Sequence, residues 1–130
     1  MAENFDFTGV KILVVDDEEF NWLLMKNYLD DTQAIVSWAR VGQEAVDLID
    51  AGEKYDMILM DMSMPVLDGY DTTRLIRKVD SKVPVIAQTA FAMDDEKAKC
   101  IEAGCDDYLS KPICMSELLK TVRKYVRDES

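Results

Sequence analysis

Three aspartates in this chain stand where they could hold a cation and accept a phosphoryl group. Asp61 ends the apolar run Met57-Ile58-Leu59-Met60, and the pair Asp16-Asp17 ends another, Ile12-Leu13-Val14-Val15. Two buried strands that finish on carboxylates gather negative charge at one edge of a sheet. A pair of such charges about 4 Å apart repels by roughly 4 kcal/mol at an effective dielectric of ~20. The simplest counter-charge is a divalent cation, and Mg²⁺ takes oxygen ligands, typically one or two carboxylates plus water and phosphate. Thr89 and Lys111 follow later strand-like runs. A carboxylate can form an aspartyl phosphate, a hydroxyl can donate to phosphoryl oxygens, and an ammonium can hold them as a point charge. Each requirement of metal-assisted phosphoryl transfer has one candidate here.

The elements that must position these residues alternate from end to end. Strands are expected at Lys11 to Asp16, Ala34 to Ala39, Asp56 to Asp61, Val83 to Gln88 and Asp106 to Ser110. Phe20, Leu23, Leu24 and Tyr28 mark one face of a first helix reaching about Asp30. Ala45, Leu48 and Ile49 carry a second that stops at Gly52, and Asp68 can cap a third running to about Val79. Asp94 can cap a fourth ending at Gly104, anchored chiefly by Ala98 and Ile101. Leu118, Leu119, Val122 and Val126 stripe the last helix, with Cys114 standing where Ser or Thr would cap better. Five alternations with short links imply a doubly wound α/β fold, a parallel sheet covered on both faces. The first, third and fourth strands are almost wholly apolar and belong in the middle; the second and fifth are mixed and belong at the edges. That gives order 2-1-3-4-5, the flavodoxin-like (βα)5 three-layer sandwich, whose ligands sit at the carboxyl ends of the strands where the order reverses. Asp16, Asp17 and Asp61 fall there.

Composition narrows the function. The chain has 130 residues, enough for one core, and residues 1–9 read as an N-terminal extension of a domain spanning 10–128. A net charge of −11 argues against direct binding to nucleic acid or an anionic membrane surface. No apolar run approaches ~20 residues and no signal peptide is evident, so a cytoplasmic location is expected. The absence of histidine removes serine and cysteine triads, the common zinc sites and a phosphohistidine carrier role. Cys100, Cys105 and Cys114 form no CxxC pair and read as reduced thiols.

The ordered set VVDD (Val14 to Asp17), MDMSMPVLDGYD (Met60 to Asp71), QTAF (Gln88 to Phe91) and DDYLSKPI (Asp106 to Ile113) closely resembles the receiver domains of two-component response regulators, the CheY-like superfamily, from about Lys11 to Val126. The resemblance implies that Asp61 accepts phosphate from a phosphohistidine on a histidine kinase or histidine phosphotransfer protein. Asp17 would bind Mg²⁺ directly and Asp16 largely through water, with Asp61 and the Ser63 backbone carbonyl completing the ligands; Mn²⁺ is the alternative ion. Thr89 and Lys111 would bind the phosphoryl oxygens. Thr89 would then shift toward the phosphoryl group and Tyr108 turn inward, reshaping the surface of the fourth helix, fifth strand and fifth helix. The Lys111-Pro112 bond would be cis, as is common in the family. Ser63 and Phe91 occupy the positions that tune hydrolysis in relatives, and a bulky Phe91 would lengthen the phosphoryl lifetime. DDEEFN, GQEAV and GCDDYLSKPI look most like receivers attached to hybrid histidine kinases. Such a receiver would be monomeric, or dimeric on phosphorylation, and would lie on the cytoplasmic side of a larger, membrane-bound kinase. As the chain ends about one turn past the fifth helix, a stand-alone receiver and a domain cut from a larger protein both remain open.

Competing readings exist for each residue. Asp16 and Asp17 could cap the first helix, Lys111 could be a surface lysine and Thr89 a strand-end hydroxyl, and Tyr108 could simply pack. Trp22 and Trp38 read as packing residues, Met57, Met60, Met62 and Met64 as core and loop filling, and Glu18-Glu19 as a solvated rim. Gln88 stands where the resemblance leads one to expect an apolar side chain. An aspartyl-nucleophile phosphatase of the haloacid-dehalogenase type needs a second Asp at position 63, which is Ser63. A receiver fold used only as an unphosphorylated interaction module is the remaining alternative. Outside self-catalysed phosphoryl uptake and hydrolysis, no enzymatic turnover is expected.

Overall fold

The computed structural model describes residues 5–90 and 93–126. Ten elements alternate: β1 (Lys11–Val15), α1 (Glu19–Asp30), β2 (Ile35–Ala39), α2 (Gly42–Asp50), β3 (Met57–Asp61), α3 (Gly69–Val79), β4 (Val85–Thr89), α4 (Asp94–Ala103), β5 (Asp107–Ser110) and α5 (Met115–Val126). The strands form one sheet of order β2-β1-β3-β4-β5, and every pairing is parallel. Burial explains the order. All five residues of β3 and of β4 are buried, as are four of the five in β1, whereas β2 and β5 each bury one. No helix among the described residues is long and apolar enough to cross a membrane.

Alternation along the strands divides the core in two. Leu13, Val15, Ile58, Met60, Val85 and Ala87 pack under α2, α3 and α4, against Ala45, Val46, Ile49, Ile76 and Cys100. Ile12, Val14, Met57, Leu59, Ile86 and Leu109 face α1 and α5, against Met25, Leu29, Leu118 and Val122. Phe7, within the expected extension, joins this second core at 5% exposure, and its amide donates to Thr32 O at 2.7 Å.

Two helices turn differently from expectation. On α1 the buried residues are Met25 and Leu29, with Trp22, Leu24 and Tyr28 partly covered, while Phe20 is 75% and Leu23 46% exposed. The helix carries more apolar residues than one stripe can hold, and the 22-25-29 spacing follows the face over the sheet. On α4 the anchors are Cys100 and Ala103, whereas Ile101 is 65% exposed and Ala98 is exposed too. The helix begins at Asp94 itself, with Met93 at the cap position and no side-chain cap bond, so Asp94 does not cap it. Its thin attachment stands: two small residues bury far less area than the stripe of α5. Asp68 does cap α3, accepting from the Asp71 amide at 2.9 Å. The Lys111-Pro112 peptide is cis.

Candidate functional site

The register places the acidic residues side by side. Val14 and Val15 of β1 pair with Leu59 and Met60 of β3, so Asp16 and Asp61 follow as the next pair at the carboxyl ends of neighbouring strands. Both point to the α1/α5 face by alternation. Asp16 is 1% and Asp61 2% exposed, while Asp17 is exposed on the loop that follows. Carboxylate oxygens of Asp16, Asp17 and Asp61 lie within 4.8 Å of one another.

Two donors reach the same oxygen of Asp61. Lys111 Nζ lies 3.0 Å from Oδ1, and the Ser63 amide donates to that atom at 3.2 Å. Lys111 gets there because its own amide donates to Thr89 O at 2.8 Å, fixing the start of the β5–α5 loop beside the end of β4. Thr89 is buried at that end, on the α2–α4 face of the sheet with Ala87, whose register partner on β5 is Tyr108. Tyr108 is half-buried with the Lys97 ammonium 4.9 Å above its ring. A cleft of about 370 Å³ opens over the site, lined among others by Asp61, Ser63, Thr89, Ala90, Glu96 and Lys111. Phe91 lies outside the described residues.

Electrostatics express the crowding. Burial pushes the Asp16 carboxyl up to about 6; the Glu18 amide opposes this, while the Asp61 charge adds to it. Burial raises the Asp61 carboxyl too, against the hydrogen bond and charge of Lys111, which lower it. Asp16 Oδ1 accepts from the Glu18 amide at 2.9 Å, while its buried Oδ2 has no hydrogen-bond partner among the described residues. A buried carboxylate oxygen left unpaired beside two further carboxylates is a hard-oxygen donor set, and it suits Mg²⁺.

Three contributors escaped sequence reasoning. Gly69, the first residue of α3, has no room for a side chain: a Cβ there would meet Asp61 O and stand 2.6 Å from Met62 Cα. This lets the helix close tightly on the loop after β3, and the Asp68-Gly69 pair at the start of the helix was its only signal. Trp38, read as a packing residue, donates its indole Nε1–H to the Asp16 carbonyl at 2.8 Å. Gln88 is the register partner of Asp61 on β4, 1% exposed, with Nε2 unpaired among the described residues. No pattern in the sequence announces either of those two.

Comparison with known proteins points one way. Residues 12–123 match the family described as response regulator receiver domain. Sensor protein GacS of Pseudomonas syringae pv. syringae is 38% identical over 120 residues, a match covering 88% of this chain and 13% of that protein. The chain therefore spans a small part of that relative. The receiver domain of sensor histidine kinase PA1611 from Pseudomonas aeruginosa, a structure with a magnesium ion coordinated in its active site cleft, superposes with a TM-score of 0.84 at 36% identity, covering 93% of this chain and 100% of that one. The receiver domain of Saccharomyces cerevisiae Ssk1, in its co-crystal with the histidine phosphotransfer protein Ypd1, gives a TM-score of 0.84 at 28% identity over 92% of this chain and 90% of that one.

Proposed function

The chain belongs to the response regulator receiver domain family of two-component systems, and from that premise we propose that Asp61 is its phosphoacceptor. The observation that carries this reading is the convergence of Asp16, Asp17 and Asp61 within 4.8 Å while Lys111 holds Asp61 at 3.0 Å. An Asp61 oxygen attacks the phosphorus of a partner's phosphohistidine, the P–N bond breaks, and its electron pair leaves with the imidazole. Asp16, Asp17, Asp61 and the Ser63 carbonyl would hold Mg²⁺, or Mn²⁺ in its place, which would supply positive charge to the phosphoryl oxygens. Lys111 then transfers its ammonium from the carboxylate to a phosphoryl oxygen, and the Thr89 hydroxyl donates to another. The donor is a histidine kinase or a histidine phosphotransfer protein, in keeping with the Ssk1 receiver's partner. We place the receiver in the cytoplasmic portion of a larger hybrid kinase, and its match to only 13% of sensor protein GacS supports a longer parent protein.

A phosphoryl group of about −1.5 to −2 charge replaces the single charge of the carboxylate and changes what Thr89 bonds to. Tyr108 follows because it stands beside Ala87, two residues before Thr89 on the same sheet face. α4, which buries only the small residues Cys100 and Ala103, is the element that yields. Incubation with acetyl phosphate and Mg²⁺ tests the reading: wild-type protein gains one phosphoryl group and Asp61→Asn protein gains none. Amide shifts on activation should concentrate in α4, β5 and α5; shifts confined to α1 would contradict the switch, and wild-type labelling of the Asp61→Asn protein would refute the acceptor.

A further inference from the structure

Trp38 is bound to the acidic loop by more than packing. Asp16 is the first residue past β1, where the sheet ladder runs out. Its amide still donates to Ala39 O at 3.1 Å. Its carbonyl is met by a side chain instead, the Trp38 indole Nε1–H at 2.8 Å. The indole plane is itself fixed. Trp22 of α1 stacks on it with centroids 5.3 Å apart and planes 7° from parallel, and the Arg40 guanidinium lies 4.4 Å from its ring centre. The backbone that carries the Asp16 and Asp17 carboxylates is thus held from β2 by one oriented donor, and that donor is oriented from α1.

We propose that Trp38 is a positioning residue for the metal-binding carboxylates, its N–H fixing the Asp16 peptide and with it the direction in which Asp16 and Asp17 face Asp61. This rests on the reading of the site as a Mg²⁺-dependent phosphoacceptor. A ring that only packed would contribute area, which phenylalanine largely replaces. An indole that orients the loop contributes a hydrogen bond, which phenylalanine cannot. Groups that orient a metal's ligands from outside typically alter metal affinity 10–100-fold when lost.

The test compares wild-type, Trp38→Phe and Trp22→Phe proteins by calorimetric titration with MgCl2, with no phosphoryl donor present. Both substitutions keep an aromatic ring in the stack, and only the first removes the donor. Trp38→Phe is expected to weaken Mg²⁺ binding about 10-fold or more, and Trp22→Phe to leave it within about twofold. In wild-type protein the Trp38 indole N–H resonance should move as Mg²⁺ is added, a signature that needs no variant to fold. Equal Mg²⁺ affinity in wild-type and folded Trp38→Phe protein overturns the proposal, as does an indole resonance that stays still while the wild-type site fills. A flat wild-type titration is a different failure, because it removes the phosphoacceptor reading and the role of Trp38 with it.

Discussion

Lys111 Nζ rests 3.0 Å from Asp61 Oδ1, joining the β5–α5 loop to the end of β3 across the width of β4. The carboxylate side chain is 3% exposed and the lysine 24%, so Asp61 is buried with its counter-charge already in place. Lys111→Met leaves that carboxylate facing two others without an ammonium. Breaking a buried pair costs about 3–5 kcal/mol, and the partial exposure of Lys111 reduces this to about 1–3 kcal/mol. Urea unfolding in chelator should show a loss of that order. An unchanged midpoint would mean that the ion pair does not form in solution.

The raised carboxyl of Asp16 makes metal-free stability depend on pH. Its folded value is about 6 against an ordinary carboxyl value of 3.8. Between those values the native state binds the proton and the unfolded state does not, so stability falls as pH rises through this window. Below it both states are protonated and the penalty is absent. Asp16→Asn should therefore stabilise chelator-treated protein by about 1–3 kcal/mol near neutral pH, from 1.36 kcal/mol per pKa unit, and by little near pH 4. A gain of equal size at both pH values would contradict the assignment.

The three thiols should separate by reactivity. Burial raises Cys100 and pushes Cys105 up to about 12, while the Ser116 hydroxyl and then the Glu117 and Ser116 amides lower exposed Cys114 at the start of α5. The thiolate is the nucleophile. Iodoacetamide at neutral pH should label Cys114 in native protein and reach the other two only after unfolding. Peptide mass spectrometry reads the pattern, and early labelling of Cys105 would mean that its packing beneath α3 and α4 is looser than described.

Gln88 offers a stability test free of the acidic cluster's charge. Its Nε2 is buried without a partner among the described residues, between the core residues Ile86 and Leu109. An unsatisfied buried donor costs about 1–3 kcal/mol, so Gln88→Leu should stabilise the protein by about that amount. A loss of stability would show that the carboxamide has a partner in solution, with a bound water the first candidate.

Much of this architecture was legible because burial follows from residue type. Almost wholly apolar β1, β3 and β4 had to lie inside the sheet, and mixed β2 and β5 had to flank it. Asp16, Asp17, Asp61, Thr89 and Lys111 each end or follow a strand, so their meeting at one edge followed from the strand order. The helices were harder. α1 offers Phe20, Trp22, Leu23, Leu24, Met25, Tyr28 and Leu29 to a single face, and periodicity cannot choose among so many. α4 offers so few apolar residues that small Cys100 and Ala103 outcompeted the more hydrophobic Ile101.

By itself the sequence determined which segments are buried, in what order the strands lie and which side chains reach the carboxyl edge. These follow from hydrophobicity, alternation and chain connectivity, which act on each segment singly. The tertiary structure alone decided that the Trp38 indole meets the Asp16 carbonyl, that Gln88 stands beside Asp61, that Gly69 must be bare and that Phe7 enters the core. Those relationships depend on cross-strand register and on the distance between elements remote in sequence, quantities fixed only when all the side chains pack together.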